Sequence, residues 1–510
     1  MTIRNLETLL DHFSTFENAL ALEDCRTGET LTYAELVHAV YAASELLGPR
    51  LQKGQRVVLY KLPSLSWVIW FFAVGLRGGV VVTIEERGSE EFTGEVFDLT
   101  TPSLLLHHRQ LSKKYDEYGI ISWDLSTVTL QPRTAPPTTP TNPHAPAEII
   151  FTSGTWSRPK GVTLSMHNLL SNAQEICQNV YPLRPRERFL SILPLSHAYE
   201  QTIGLLCPLL SGGSVSYSDP TRPTQLLADF ARVRPHYLAT VPKLLTVFER
   251  KIRRQAQESL PAWLFDTLLK IAVYLPGRLR RQLFKRVHAK FGSCLQTFFV
   301  GGAPLEPQTG HFFEALGIET VVGYGLSETA PLVTYSRRSR REYGEIGHAL
   351  SNLETKIGET GELLVRGPSV FLGYWPDIER DAQAYFNTSD VVTRTNSGAY
   401  RLQGRSKNLV VYPSGDKIFC EDIEYHCTRI THSAEVCVLN TGTDSTPRLT
   451  LVLGQDTPAE DLQTTLTATL PDFARIDSIR VYPHPELPKT RTQKIARARL
   501  RRWLLEECAL

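Results

Sequence analysis

Residues 149–163 read IIFTSGTWSRPKGVT and hold the first chemistry the chain offers. An apolar strand-like run, EIIF, leads into Thr152, Ser153, Gly154 and Thr155, where hydroxyls and backbone N–H groups stand with little side-chain bulk around them. A turn of that composition can cradle phosphates, because amides and hydroxyls converge on an anion at the start of a following element. It is not the loop of the P-loop kinases and GTPases, which needs G-x-x-x-x-G-K-[ST]. Here Lys160 precedes Gly161, and no hydroxyl residue directly follows the lysine. Alone, the loop reads equally as a solvated Ser/Thr turn between two elements, so other motifs must decide.

The elements that must position such a loop are legible in the apolar pattern. Short apolar runs, RVVLY (56–60), VVVTI (80–84) and SLLLHH (103–108), alternate with helical patterns such as YAELVHAVYAASELL (33–47). This alternation predicts an α/β chain with sheets covered by helices. A length of 510 residues predicts one large and one small unit rather than a single small domain. The boundary is expected near residue 404: a large α/β N-terminal domain over 1–403, then a small α+β C-terminal domain over 404–510 bracketed by AEVCVLN and RLTLVLG. Residues 131–147, QPRTAPPTTPTNPHAPA, are expected to be an extended, proline-rich connection inside the large domain.

Composition narrows the function classes. A charged fraction of 21% and a formal net charge of +2 describe an ordinary globular chain, neither disordered nor coating nucleic acid. The eight cysteines form no C-x-x-C pair and share no ligand spacing with histidine, which points to free thiols in a reducing compartment. The N-terminal stretch carries acids within its apolar run and lacks the order of a secretory signal, so a cytoplasmic location is expected. The most apolar run, WVIWFFAVGL (67–76), ends at Arg77, well short of the ~20 residues a membrane span needs. It is expected to be a buried core helix.

The opening loop resembles the TSGTTGxPKG signature of the adenylate-forming (AMP-binding) superfamily, and the resemblance continues in order through LPLSHAYEQ (193–201), GGAPL (301–305), VVGYGLSETAP (321–331), GELLVRGPSVFLGYW (361–375), NTSD (387–390), LQGRSKNLVV (402–411), DKIFCEDIE (416–424) and LPKTRTQKIAR (487–497). Within the superfamily the chain is most similar to long-chain fatty-acyl-CoA synthetases, through several of these motifs and the long helical segment between 243 and 297. The resemblance implies a two-step ligase using ATP, Mg2+ and coenzyme A: a fatty acid attacks the α-phosphate to give acyl-AMP and pyrophosphate, and a thiol then displaces AMP.

The same resemblance implies the site residues. Thr152, Ser153, Gly154, Thr155 and Lys160 belong to the phosphate loop, Gly302 and Ala303 to GGAPL, and Ser327 and Thr329 flank Glu328, which matches the magnesium ligand. Tyr324 offers a face for adenine, with Gly323 and Gly325 permitting close backbone approach. Asp390 matches the ribose-binding carboxylate, Arg405 the second nucleotide-holding residue, and Lys494 the C-terminal lysine that supports adenylation. His197 is expected against the acyl site. Lys407 matches the hinge about which the small domain swings, and Gly415 the glycine lining the thiol tunnel.

Four positions depart from the family pattern: Trp156 and Ser157 stand where the loop usually reads Thr-Gly, Ser389 replaces the glycine before the ribose aspartate, and Gln493 replaces the glycine before the lysine. An acyl-carrier-protein synthetase shares every motif named. A catalytically weakened lipid-binding homologue is a further reading, prompted by Trp156 and Ser157. Residues 271–290 carry Arg278, Arg280, Arg281, Lys285, Arg286 and Lys290 and no acid. With Leu279, Leu283, Phe284 and Val287 they suit a solvated helix face, an anionic membrane surface at the inner face of a membrane, or an acidic carrier protein. Nucleic acid is a poor match, because no basic–aromatic interleaving or reading module accompanies them.

Overall fold

The computed structural model describes residues 3–60, 63–84, 90–107, 118–131, 141–152, 159–258, 260–336, 344–378, 380–412, 414, 416–443, 446–458, 462–470, 474–489 and 495–507. Two large sheets dominate. One has nine strands in the order His348–Ala349, Leu332–Tyr335, Glu319–Gly325, Thr297–Val300, Tyr237–Thr240, Arg188–Ser191, Ser214–Tyr217, Leu20–Asp24 and Thr30–Thr32. The other has seven: Gly373–Trp375, Lys160–Ser165, Pro146–Thr152, Val80–Ile84, Arg56–Tyr60, Leu104–His107 and Ile121–Asp124. Each has a parallel centre; antiparallel pairs stand at both margins of the first sheet and at the Gly373–Trp375 margin of the second. Both faces of such a centre must be covered, which is why its strands read as unbroken apolar runs instead of alternating ones.

Alternation across each strand divides the core. Phe189, Tyr237 and Phe299 from the first sheet and Val57, Leu59 and Val81 from the second share one cluster with the helices Leu6–Ser14, Tyr33–Leu47, Leu65–Leu76 and Met166–Glu175. Their strand neighbours face outward: Leu190, Leu238 and Phe298 meet the helices at 242–316, and Val58, Val80 and Val82 meet Phe97. The run at 67–76 is the centre of the Leu65–Leu76 helix, apolar all round because nearly all its side chains are buried. Among the described residues, no helix is long and apolar enough to cross a membrane.

A four-stranded antiparallel sheet, Glu354–Ile357, Glu362–Arg366, Phe386–Arg394 and Tyr400–Arg405, follows the large sheets. After Arg405 the chain builds its own cores. Val410, Ile423, Val438 and Leu451 centre one cluster, and Cys437, Leu487 and Leu500 centre a smaller one; no residue before 410 belongs to either. Most of the proline-rich connection, residues 132–140, lies outside the described residues.

The basic segment is not one helix face. The Ala262–Ala272 helix ends, residues 273–276 turn, and Gly277–Leu283 and Lys285–Lys290 are separate short helices. Phe284 is consequently buried against Phe265, and Val287 is half-buried against the same core, so neither belongs to an exposed apolar stripe with Leu279 and Leu283.

Candidate active site

Arg188–Ser191, Tyr237–Thr240, Thr297–Val300 and Glu319–Gly325 lie side by side and parallel. The segments leaving their carboxyl ends include LPLSHAYEQ, GGAPL and LSETAP. A crevice beyond the carboxyl ends of parallel strands is where open α/β sheets place ligands. The three segments brace one another. A Cβ at Gly301 would come within 2.9 Å of the Tyr199 ring, so the first glycine of GGAPL is needed for the LPLSHAYEQ segment to fit. Thr202 Oγ1 donates to the Ala330 carbonyl at 3.1 Å, tying that segment to the turn after Glu328. His197 stands half-buried where this segment turns into helix, its carbonyl accepting from the Gln201 N–H at 3.2 Å.

Glu328 sits in a single 3-10 turn, Ser327–Thr329. Thr329 is buried and its hydroxyl closes this turn, donating to the Leu326 and Pro331 carbonyls and accepting from the Leu326 N–H. Thr329 therefore shapes the turn instead of facing an open groove, unlike Ser327, which is half-buried. The Tyr374 hydroxyl donates to Glu328 Oε1 at 2.8 Å, and the Phe371 N–H donates to the Glu328 carbonyl at 2.9 Å. Burial, and then the Glu328 carboxylate, push the Tyr374 phenol up, keeping it a donor. Tyr374 lies on the Gly373–Trp375 strand, antiparallel to Lys160–Ser165. Lys160 Nζ stands 5.3 Å from the centre of its ring, a cation–π distance. Gly161 has no room for a Cβ, which would lie 2.8 Å from Ile149 Cγ2.

The donor set suits magnesium of one kind only. Among the described residues no three His, Cys, Asp or Glu side chains gather as an all-protein cage. A lone carboxylate with a free oxygen matches a hard ion that keeps waters and takes its other ligands from a nucleotide's phosphates.

Asp390 is the other carboxylate at the mouth. Antiparallel register sets Asp390 opposite Arg405, whose Nε lies 2.8 Å from Oδ1, while the Tyr324 hydroxyl donates to Oδ2 at 2.7 Å. The Asp390 side chain is only 3% exposed and that of Arg405 49%, so the aspartate is fixed while the guanidinium reaches into solvent. Burial, and next the Asp390 charge, push the Tyr324 phenol well up. Ser389 has φ +59°, a left-handed value costly for any residue with a Cβ, which gives a physical reason for the glycine usual there. Its N–H is satisfied by Asn387 Oδ1 at 2.7 Å. Gly323 and Gly325 do permit close approach, but of the chain's own next strand: a Cβ would lie 2.6 Å from Leu332 Cδ1 at Gly323 and 1.8 Å from the Pro331 carbonyl at Gly325. Gly302 has φ +83° and is exposed with Ala303.

Ser153, Gly154, Thr155, Trp156 and Ser157 lie outside the described residues, as do Gly415, Gln493 and Lys494; the backbone of Thr152 ends the Pro146–Thr152 strand. What flanks Lys494 is firmly held. Lys489 and Ile495 form a β-bridge, with Lys489 Nζ 2.7 Å from both Glu435 and Glu486. Arg497 pairs with Glu424 at 2.7 Å and donates to the Val438 carbonyl at 2.6 Å. Lys407 is exposed in the Ser406–Asn408 turn, between two commitments. Ser406 Oγ donates to the Ser389 carbonyl on one side, and Asn408 donates to Glu421, on the Cys420–Thr431 helix, on the other.

Tyr374 was missed by sequence reasoning although GYW was in view, because its role depends on a strand pairing across some two hundred residues. Two buried acids were missed as well. Glu148 accepts from Gln201 Nε2 at 2.6 Å, and Glu200 accepts from Ser191 Oγ at 2.5 Å. Burial pushes each carboxyl up to about 8. Their only signal was charge inside the otherwise apolar contexts EIIF and HAYEQTIGLL.

This architecture, with the Glu328 turn and the Tyr324–Asp390 pair beyond the carboxyl ends of a parallel sheet, is that of an adenylate-forming enzyme. The family described as AMP-binding enzyme matches residues 10–375, and the chain belongs to it. The long-chain-fatty-acid–CoA ligase FadD15 of Mycobacterium bovis is 26% identical over 438 residues, covering 76% of this chain and 71% of that protein. The chloroplastic long-chain-fatty-acid–[acyl-carrier-protein] ligase AEE15 of Arabidopsis thaliana is 26% identical over 362 residues, 58% of this chain and 49% of that one. Among solved structures, the O-succinylbenzoate coenzyme A synthetase MenE of Bacillus subtilis, in complex with ATP and magnesium ion, superposes with a TM-score of 0.78 at 19% identity, covering 97% of this chain and 98% of that one.

Proposed function

We propose that this chain activates a long-chain fatty acid with ATP, forming acyl-AMP and releasing pyrophosphate, and then transfers the acyl group to the thiol of coenzyme A with release of AMP. The observation that carries this reading is the pair of pre-set carboxylates, Glu328 held by Tyr374 and Asp390 held by Tyr324 and Arg405, at the mouth of one parallel sheet. Similarity to fatty-acid ligases supports the substrate class. Asp390 accepts hydrogen bonds from the two ribose hydroxyls, and Tyr324 lies against adenine. The phosphates lie along the loop from Thr152 to Lys160. Glu328 would hold magnesium, whose charge lets a carboxylate approach a polyanion. Lys494 brings a cation to the charge that develops as the fatty acid attacks the α-phosphorus, and His197 lines the acyl side.

The domains are units of motion in this reading. Residues 404–510 rotate about Lys407 to withdraw Lys494 and admit the thiol past Gly415. The neighbours of Lys407 are tied to opposite sides, which suits a hinge. Its partners are a fatty acid, coenzyme A and, at the inner face of a membrane, an anionic lipid surface. A carrier protein is the second reading of the acceptor, favoured by the similarity to the Arabidopsis carrier-protein ligase.

Single-turnover reactions with fatty acid, ATP and magnesium, in which acyl-AMP and thioester are quantified separately with coenzyme A or with carrier protein, test the proposal. Lys407→Pro fixes φ and removes an N–H, so it should spare acyl-AMP formation and suppress thioester formation. A wild-type protein that made acyl-AMP and passed it to neither thiol would overturn the ligase reading, and one that released no pyrophosphate would leave a lipid-binding homologue.

A further inference from the structure

Six large hydrophobic side chains stand exposed within twenty-one residues: Trp263, Ile271, Val273, Tyr274, Leu279 and Leu283. Among the described residues sixteen such side chains are exposed in all, so this corner concentrates them far beyond chance scatter. Tyr274 is 89% exposed and Trp263 69%. The Ala262–Ala272 helix buries Phe265, Leu269 and Ala272 on one side and turns Trp263, Lys270 and Ile271 to the other. The same side carries Asp266 and Thr267, so Trp263 and Ile271 stand as large apolar side chains exposed among polar ones.

The corner is held rigidly. Arg280 donates to the Val273 and Leu275 carbonyls at 2.6 and 2.7 Å and to the Glu314 carbonyl at 2.9 Å, clamping the turn that projects Val273 and Tyr274 onto the helix behind it. Arg281 likewise donates to the carbonyls of Ser293 and Leu295. The same segment carries Lys270, Arg278, Lys285, Arg286 and Lys290, all exposed. Among the described residues, no ion pair engages any of them. The single acid from 262 to 290, Asp266, is already paired with Arg253 at 2.9 Å. Arg281, Gln282, Lys285, His288 and Ser293 line an open recess of about 450 Å³ on the same segment.

We propose that this corner, residues 263–290, is a docking surface for an anionic phospholipid bilayer, with Trp263, Val273, Tyr274, Leu279 and Leu283 entering the interface and the lysines and arginines meeting lipid phosphates. Amphipathic aromatic rings prefer the level of the headgroups, aliphatic tips the acyl boundary just beneath, and each basic residue near such a surface adds attraction. An acidic protein partner would satisfy the charges, but it gives no reason for Val273 and Tyr274 to project from a clamped turn outside the recess that Arg281 and Lys285 line. The surface specifies the membrane partner named under the ligase reading and rests on that reading only for the source of substrate; its test needs no turnover.

The test is flotation of the full chain with vesicles of phosphatidylcholine alone or with phosphatidylglycerol admixed. Wild type should float with the anionic vesicles and not with the neutral ones. Arg278→Glu/Lys285→Glu/Arg286→Glu should weaken that binding by at least about tenfold, and Trp263→Asp/Tyr274→Asp should weaken it by about the same factor with every cation in place. Melting temperature and pyrophosphate release with a freely soluble short-chain acid check that both variants remain folded. Equal flotation on neutral vesicles, no flotation of the wild type, or undiminished flotation of either variant would overturn the proposal. So would variants that keep vesicle binding but lose acyl transfer to a carrier protein, an outcome that would assign the face to that protein.

Discussion

Glu148 and Glu200 lie inside the core, Glu328 and Asp390 at its mouth, and what offsets lost hydration differs: Glu328 is only half-buried and Asp390 meets a guanidinium. The inner pair is wholly buried and, among the described residues, meets neutral donors: Gln201 and Thr83 at Glu148, Ser191 at Glu200. Without a cation to offset lost hydration, a carboxyl there keeps its proton, and both are pushed up to about 8. The outer pair is held by tyrosine hydroxyls, and Asp390 also by the Arg405 guanidinium. One kind of side chain thus serves as a neutral brace in one region and, in the proposed reading, as a binding group in the other. Both inner acids act on the same segment, since Glu200 and Gln201 follow His197 by three and four residues.

Removing an outer acid should produce the largest effect. Asp390→Ala takes away the acceptor proposed for the ribose and leaves Arg405 and Tyr324 without their shared partner. ATP affinity, read by calorimetry, should fall by about 100-fold, since hydrogen bonds to a charged group contribute about 1.5–3 kcal/mol. Thermal stability should change much less. A loss of folding with no specific loss of affinity would place Asp390 with the structural acids.

Glu328→Gln keeps the shape and the oxygen that accepts from Tyr374 while removing the charge. The magnesium concentration for half-maximal pyrophosphate release should rise by about tenfold. An unchanged magnesium dependence would remove Glu328 from the metal's ligands.

The inner acids should reveal themselves in pH-dependent stability, with the smallest effect. Their folded-state values, about 8, exceed the ordinary 4.5, so between those values the folded state binds more protons than the unfolded chain. Stability must then fall as pH rises through that window, by about 1 kcal/mol per pH unit for each group. Glu200→Gln keeps an acceptor for Ser191 and has no proton to lose, so denaturation midpoints measured from pH 5 to pH 8 should decline less steeply than in wild type. Parallel declines would mean that the Glu200 carboxyl ionises without cost.

The elements themselves were legible because their signals are local. The Tyr33–Leu47 helix and the strands Arg56–Tyr60 and Val80–Ile84 have the bounds that their apolar periods predict, and 67–76 is the buried helix expected from an all-round apolar run. The basic segment was read less well. Its charges were visible, but the turn after Ala272 changes which side chains face out, burying Phe284 and exposing Val273 and Tyr274.

The sequence by itself determined the α/β alternation, the order of the motifs and the candidates Glu328, Asp390 and Arg405, since each rests on residue types within a few positions of one another. Only the tertiary structure decided the partnerships. Asp390 meets Arg405 through antiparallel register and Tyr324 across sixty-six positions, while Tyr374 reaches Glu328 because its strand pairs with Lys160–Ser165. The physical reason is that hydrogen bonds and burial act over a few ångströms in space, and residues so close in space are set by strand order and register rather than by spacing along the chain.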